Sequence, residues 1–296
     1  MGNPLRFQAI HIDVARNATD DFNPFHDKLR WQRIFGNPFA GPILLGFQLE
    51  CLIEDRMHQY RALNGENALL EEHKLRYSNY EFKFVNAVLP GQEIEVLIKE
   101  SQLKGGPPQL LGNRVSLKAD GKLAVAGFKR ESSAPLSPAT IDLANLGDLN
   151  KVTDRTFLDT GDGKKETFLK RKFLTVSNAK NFLSGSLVEQ SDYIDELDER
   201  VNFPEIFPCA LLSCALLERA WQQGHDFERE PMVYKSHILS VDRECLRQAR
   251  SNDVLHLLSR HADPAVDNHV YDCFGVIGTD RLLLSARIDL MPLAGS

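Results

Sequence analysis

Apolar residues crowd two stretches of the chain, and elsewhere shorter apolar runs are separated by turn residues. The first crowded stretch covers residues 42–60 and holds Leu44, Leu45, Phe47, Leu49, Leu52 and Ile53. At helical spacing these positions occupy more than one face, which predicts a buried helix rather than a surface one. The second opens at Pro208 and reads Cys209-Ala210-Leu211-Leu212-Ser213-Cys214-Ala215-Leu216-Leu217, a helix of the same character. Strand-like runs follow each helix. After the first they fall at residues 80–84, 93–100, 109–119 and 123–130; after the second, at 232–241, 254–260, 269–277 and 282–290. The turns between them carry Pro90-Gly91, Asp120-Gly121, Asp263-Pro264 and Gly278-Thr279-Asp280, and Asp-Gly is a strong hairpin signal. A long buried helix followed by an antiparallel meander, done twice, predicts an α+β architecture. A strongly curved sheet around each helix is the natural way to bury a helix that is apolar nearly all round.

Between the halves, Ser132-Ser133-Ala134-Pro135-Leu136-Ser137-Pro138 reads as a linker. The expected organisation is an N-terminal unit at residues 1–131, a linker at 132–150 and a C-terminal unit at 151–296.

Composition narrows the function classes. Apolar residues make up 43% of the 296-residue chain and charged residues 26%, the profile of a globular protein with a real core. A formal charge of −6 argues against a nucleic-acid binder, which normally shows a basic face. The local clusters Lys164-Lys165 and Lys170-Arg171-Lys172 are expected on a solvated strand edge. No apolar run reaches the roughly 18 residues that span a bilayer, and the start, Met1-Gly2-Asn3-Pro4-Leu5-Arg6, does not read as a signal peptide. Cys51, Cys209, Cys214, Cys245 and Cys273 lack Cys-x-x-Cys spacing and read as reduced thiols of a cytoplasmic protein. No metal site is expected from them or from the scattered histidines.

The candidate chemistry sits in Asp21-Phe22-Asn23-Pro24-Phe25-His26. A tight Asn-Pro turn brings a carboxylate and an imidazole together, and such a pair holds a water molecule and passes its proton either way. Gly41-Pro42-Ile43-Leu44-Leu45-Gly46 then runs into the first long helix, whose leading N–H groups are unpaired and favour negative charge.

These two blocks, followed by Phe82-Lys83-Phe84 and Leu89-Pro90-Gly91-Gln92-Glu93-Ile94, resemble the MaoC-like (R)-specific enoyl-CoA hydratases. The resemblance implies a double hotdog, two curved antiparallel sheets each wrapping a long central helix. It implies a lyase that adds water to 2-enoyl thioesters or dehydrates 3-hydroxyacyl thioesters. Asp21 and His26 would activate water, and the Gly46 N–H would bear the enolate charge. Asn23, Pro42, Leu45 and Phe47 would contact substrate. The chain departs from the family at Leu45, where a His is common, and at Gln92, where the turn has Asp. No cofactor is implied beyond the coenzyme A or carrier pantetheine of the substrate. An acyl carrier protein is a possible partner, with Lys28, Arg30 and Arg33 beside the motif. A monomer or a homodimer suits a double hotdog. The second half offers residues 181–186 opposite the motif, with neither acid nor imidazole, and would help form an acyl tunnel.

Two alternatives remain at this stage. Glu50 and Glu54, one turn apart on the first helix, would serve a thioesterase of the same fold, although their spacing also suits the helix's exposed side. A non-catalytic acyl-thioester binder is the other.

Overall fold

The computed structural model describes residues 4–158, 167–263 and 267–293. Its helices are α1 (Ala9–Thr19), α2 (Gly46–Leu63), α3 (Asn67–Glu72), α4 (Val176–Gly185), α5 (Ile206–Gln222) and α6 (Arg243–Arg247). Its strands in the first half are β1 (Tyr77–Phe84), β2 (Ile94–Ile98), β3 (Gln102–Lys104), β4 (Leu110–Ala119) and β5 (Lys122–Ser132). Those in the second are β6 (Thr156–Leu158), β7 (Thr167–Leu174), β8 (Ile194–Asp195), β9 (Arg200–Val201), β10 (Met232–Asp242), β11 (Asp253–Asp263), β12 (Asp267–Ile277) and β13 (Arg281–Pro292). The α+β class and the eight expected strand runs appear where the apolar pattern puts them, while β7, eight residues long, is not among them.

The expectation of two sheets needs correction. The strands form one antiparallel sheet of 11, in the order β2-β4-β5-β1-β10-β13-β12-β11-β7-β6 with β3 on β4, beside a two-stranded β8-β9 ribbon. The halves meet where β1 pairs with β10, in register from Tyr77 opposite Asp242 to Lys83 opposite Ser236. A strand edge left open would expose unpaired N–H and C=O groups, and here each half's edge satisfies the other's. One core therefore spans both halves. It joins Leu49, Leu52 and Ile53 of α2 to Leu211, Leu212 and Ala215 of α5, with Tyr80, Phe82, Leu239 and Val241 from the joining strands.

Beyond Ser132, which ends β5, the linker stretch lacks strands and long helices, yet it is not loose. Ala139 and Leu149 are buried against Leu169, Leu258 and Phe274. The basic cluster on β7 also departs from a solvated edge. Lys170 turns inward to Asp154 and Glu218, at 3.2 Å from each, and Lys172 pairs with Asp20. Lys164 and Lys165 lie outside the described residues.

Two short helices absent from the sequence reading, α1 and α4, pack on each other. Gly185 makes this possible: a Cβ there would lie 2.8 Å from the Ala15 nitrogen and 2.9 Å from the His11 carbonyl oxygen. No described helix is long and apolar enough to cross a membrane.

Candidate active site

The Asp/His loop is built by the end of α1. Asp20 takes the left-handed conformation (φ 53°) that stops the helix, and the Asp21 N–H returns to the Arg16 carbonyl at 2.9 Å. The Asp21 carboxylate then accepts the Asn23 N–H at 2.9 Å, and the Asn23 side chain accepts the Phe25 N–H at 3.1 Å. These Asx-type bonds fold a short turn over Pro24–His26. Asp27 anchors its far side through Arg16 at 2.8 Å. Although partial burial opposes it, the Leu29 and Arg30 N–H groups and the Arg16 guanidinium hold the Asp27 carboxyl down at about 2.

The same loop is stitched to the approach of α2. The Ile43 N–H donates to the Phe25 carbonyl at 3.0 Å, and His26 Nδ1 lies 2.8 Å from the Ile43 carbonyl oxygen. A carbonyl oxygen only accepts, so Nδ1 carries the proton and Nε2 is left as the basic nitrogen. These bonds, with Leu44 N–H to the Val88 carbonyl at 2.9 Å, keep residues 42–45 extended. The helix accordingly starts at Gly46 rather than at Pro42.

Asp21, Asn23, His26 and Gly46 line one cavity of about 870 Å³ with mostly apolar walls. Asp21 and His26 are buried, with 3% and 5% of their surfaces exposed. Gly46 opens α2, and among the described residues its N–H meets no acceptor. A Cβ at Gly46 would lie 3.0 Å from the Phe84 ring and 3.3 Å from the Tyr234 ring, so only glycine leaves those rings in place. Pro42, Leu45 and Phe47, expected to touch substrate, do not line the cavity. Leu45 and Phe47 are buried in the core instead, Phe47 stacking on His237 at 4.5 Å.

Much of the wall comes from the second half, including Ser213, Leu216 and Leu217 of α5 and Met232, Tyr234 and Leu290 of the sheet. Ser213 and Tyr234 are polar groups of the cavity that the sequence reading did not single out. Their hydroxyls share a hydrogen bond at 2.5 Å. Burial, and next the charge of Asp21, push the Tyr234 hydroxyl up, so it stays protonated. A lone Ser in the apolar run of α5 was the available hint.

Glu50 and Glu54 are not on an exposed face of α2; both are fully buried, and neither lines the cavity. The Glu50 carboxylate lies 3.1 Å from His237 Nδ1. The Glu54 carboxylate accepts the N–H groups of Glu205 and Ile206 at 2.7 and 3.0 Å, and so caps the N-terminus of α5. Glu205 in turn accepts from the Tyr80 hydroxyl at 2.5 Å and from Ser78, with the Lys129 ammonium 3.6 Å away. Burial, and then the charge of Glu205, raise the Glu54 carboxyl well above its ordinary value. Glu205 goes the other way. Burial opposes its charge, but Lys129, His58 and Arg243 outweigh it and bring the carboxyl to about 2. Glu54, His58 and Glu205 also place ligand-type atoms within 4.8 Å of one another. The cation already present there is Lys129, which further bonds Glu131 at 2.6 Å.

The counterpart of the Asp/His loop is not residues 181–186, which close α4, but 188–193. Leu187 repeats the left-handed turn of Asp20 (φ 58°), and the Val188 N–H returns to the Leu183 carbonyl at 3.0 Å as Asp21 does to Arg16. Val188 thus matches Asp21, and Tyr193 matches His26. At these two positions the second half has neither acid nor imidazole; the acids of the loop, Glu189 and Asp192, lie between them.

No protein-family profile matches the chain, and neither does any curated protein. Solved structures do. A protein described as a MaoC-like dehydratase superposes with a TM-score of 0.55 at 10% identity, covering 97% of this chain and 95% of that one. HtdX of Mycobacterium tuberculosis covers 99% and 98% at 9% identity with a TM-score of 0.48. An acyl-ACP thioesterase from Bacteroides thetaiotaomicron covers 84% and 90% at 10% identity with a TM-score of 0.47. Over nearly its whole length, the chain has the fold of a MaoC-like dehydratase.

Proposed function

We propose that this protein is a double hotdog of the MaoC-like type and a hydro-lyase that hydrates 2-enoyl thioesters or runs the reverse dehydration. The observation that carries the reading is the meeting of Asp21, His26 and the open Gly46 helix terminus on one largely apolar cavity. The MaoC-like dehydratase fold agrees with it.

In hydration, the water held between Asp21 and His26 Nε2 loses a proton to the pair as its oxygen bonds to the β-carbon. The electrons of the Cα=Cβ bond move to the thioester oxygen, where the Gly46 N–H and the positive end of α2 stabilise the enolate. The oxyanion then re-forms the carbonyl as the α-carbon takes the proton from the pair, on the same face. The net change is addition of one water. This chemistry needs no metal or redox group, and the thioester handle arrives with the substrate. The apolar wall from α5 and the second half of the sheet would receive the acyl chain.

The thioesterase alternative loses its residues: Glu50 is turned to His237 and Glu54 to α5, both off the cavity. The test follows the absorbance of short- and medium-chain trans-2-enoyl-CoAs beside a thiol reagent, with carrier-linked enoyl thioesters as a second set. The expected result is loss of the conjugated chromophore without thiol release. Asp21→Asn or His26→Ala should lower turnover by about 10²–10⁴-fold, the usual worth of a positioned acid or base. Thiol release, or undiminished turnover in both variants, would sink the reading.

A further inference from the structure

The N–H of Gly46 is one donor, and the residue before it, Leu45, brings no polar side chain to the thioester oxygen. The second half supplies a hydroxyl instead. The Tyr234 ring lies directly across Gly46, 3.3 Å from where a Cβ would stand. It is locked there edge-on to His237 at 4.4 Å and to Phe47 at 5.8 Å between ring centres. Both Tyr234 and Gly46 line the cavity that holds Asp21 and His26. The Ser213 hydroxyl, on α5 and buried, sits 2.5 Å from the Tyr234 hydroxyl.

We propose that the Tyr234 hydroxyl is a catalytic residue, the second hydrogen-bond donor to the thioester oxygen beside the Gly46 N–H. The assignment rests on the hydro-lyase reading above. Ser213 donates to the Tyr234 oxygen and thereby turns the phenolic proton into the cavity, which makes Ser213 a positioning residue. Tyr234 gives up no proton; it lends a hydrogen bond that strengthens as charge moves onto the oxygen. Burial and the nearby Asp21 charge both oppose phenolate formation, as a pure donor requires. The second half, with Val188 and Tyr193 in place of the acid and the imidazole, then contributes chemistry as well as wall.

The test compares wild type with Tyr234→Phe, Ser213→Ala and Asp21→Asn on one enoyl-CoA. Tyr234→Phe keeps the ring, so its melting temperature should hold. Its kcat should fall about 10²-fold, the lower end for one lost oxyanion donor, with KM little changed. Ser213→Ala should fall less. A second readout separates donation from packing. Cinnamoyl-CoA bound to Asp21→Asn protein should show a red-shifted absorbance from carbonyl polarisation, and adding Tyr234→Phe should shrink that shift. If Asp21→Asn is inactive while Tyr234→Phe keeps wild-type kcat and the full red shift, the Tyr234 assignment fails alone. If wild type turns over no enoyl thioester, the hydro-lyase reading fails and takes the assignment with it.

Discussion

The N-termini of α2 and α5 occupy matching places in the two halves and have opposite fates. Both present unpaired N–H groups and the positive end of a helix dipole. At α2 the Gly46 N–H opens into the cavity with Asp21 and His26 close by. At α5 the same kind of terminus is filled from within, by the Glu54 carboxylate across the Glu205 and Ile206 N–H groups. The loop beside it carries Val188 and Tyr193, and Tyr193 bonds His58 at 3.1 Å instead of facing a cavity with an acid. A helix N-terminus is thus a site or a piece of core depending on what reaches it. Here a side chain from α2 closes the terminus of α5, while glycine and a wall of aromatic rings keep that of α2 clear.

Substitutions at the two termini should therefore separate activity from stability. The largest effect is expected at the open one. Gly46→Ala drives a methyl to 3.0 Å from the Phe84 ring and displaces the wall of the site. Turnover should fall by about 10²-fold, as for other small displacements of a reacting group, with little change in melting temperature. An unchanged rate would remove Gly46 from the chemistry.

The closed terminus should behave in the opposite way. Glu54→Ala strands two buried N–H groups, at a cost of about 2–3 kcal/mol, read as a lower denaturation midpoint. Glu54→Gln keeps an acceptor and should cost less. Neither should create activity at α5, because Val188 and Tyr193 stand where Asp21 and His26 stand in the first half. Loss of turnover in folded Glu54→Gln protein would show that the closed terminus is not purely structural.

A pH dependence is expected at the same terminus. The Glu205 carboxyl lies at about 2 in the folded protein, against about 4.3 in an unfolded chain. A depressed carboxyl stabilises the fold fully above the unfolded value, and the contribution is lost as pH falls from about 4.3 towards 2. The melting-temperature gap between wild type and Glu205→Gln should therefore be widest near neutrality and narrow through that window. A gap independent of pH would mean that Glu205 carries no such charge.

Local patterns made much of this legible. The apolar runs around Leu49 and Leu211 announced both long helices, and Asp120-Gly121 announced the β4–β5 hairpin, because helix burial and turn chemistry depend on neighbours in sequence. The Asp/His loop is local too. The bonds of Asp21 and Asn23 to the backbone just ahead need only the Asp-x-Asn-Pro pattern. Glu50 and Glu54 were misplaced because helical spacing tells which residues share a face but not what packs on it. The counterpart loop was set some residues early because Val188 and Tyr193 keep the backbone turn of Asp21 and His26 without their side chains.

The sequence by itself determined the α+β class, eight of the strands, the two buried helices and the turn that carries Asp21 and His26, all products of short-range periodicity and turn preference. Only the tertiary structure decided that the two halves share one sheet through β1 and β10, that Tyr234, bonded to Ser213, stands against Gly46, and that Glu54 closes α5. These are contacts between segments far apart in the chain. They are selected by the burial of one common core and by the need of every buried N–H and carboxylate for a partner, and no pattern within either segment encodes which partner that is.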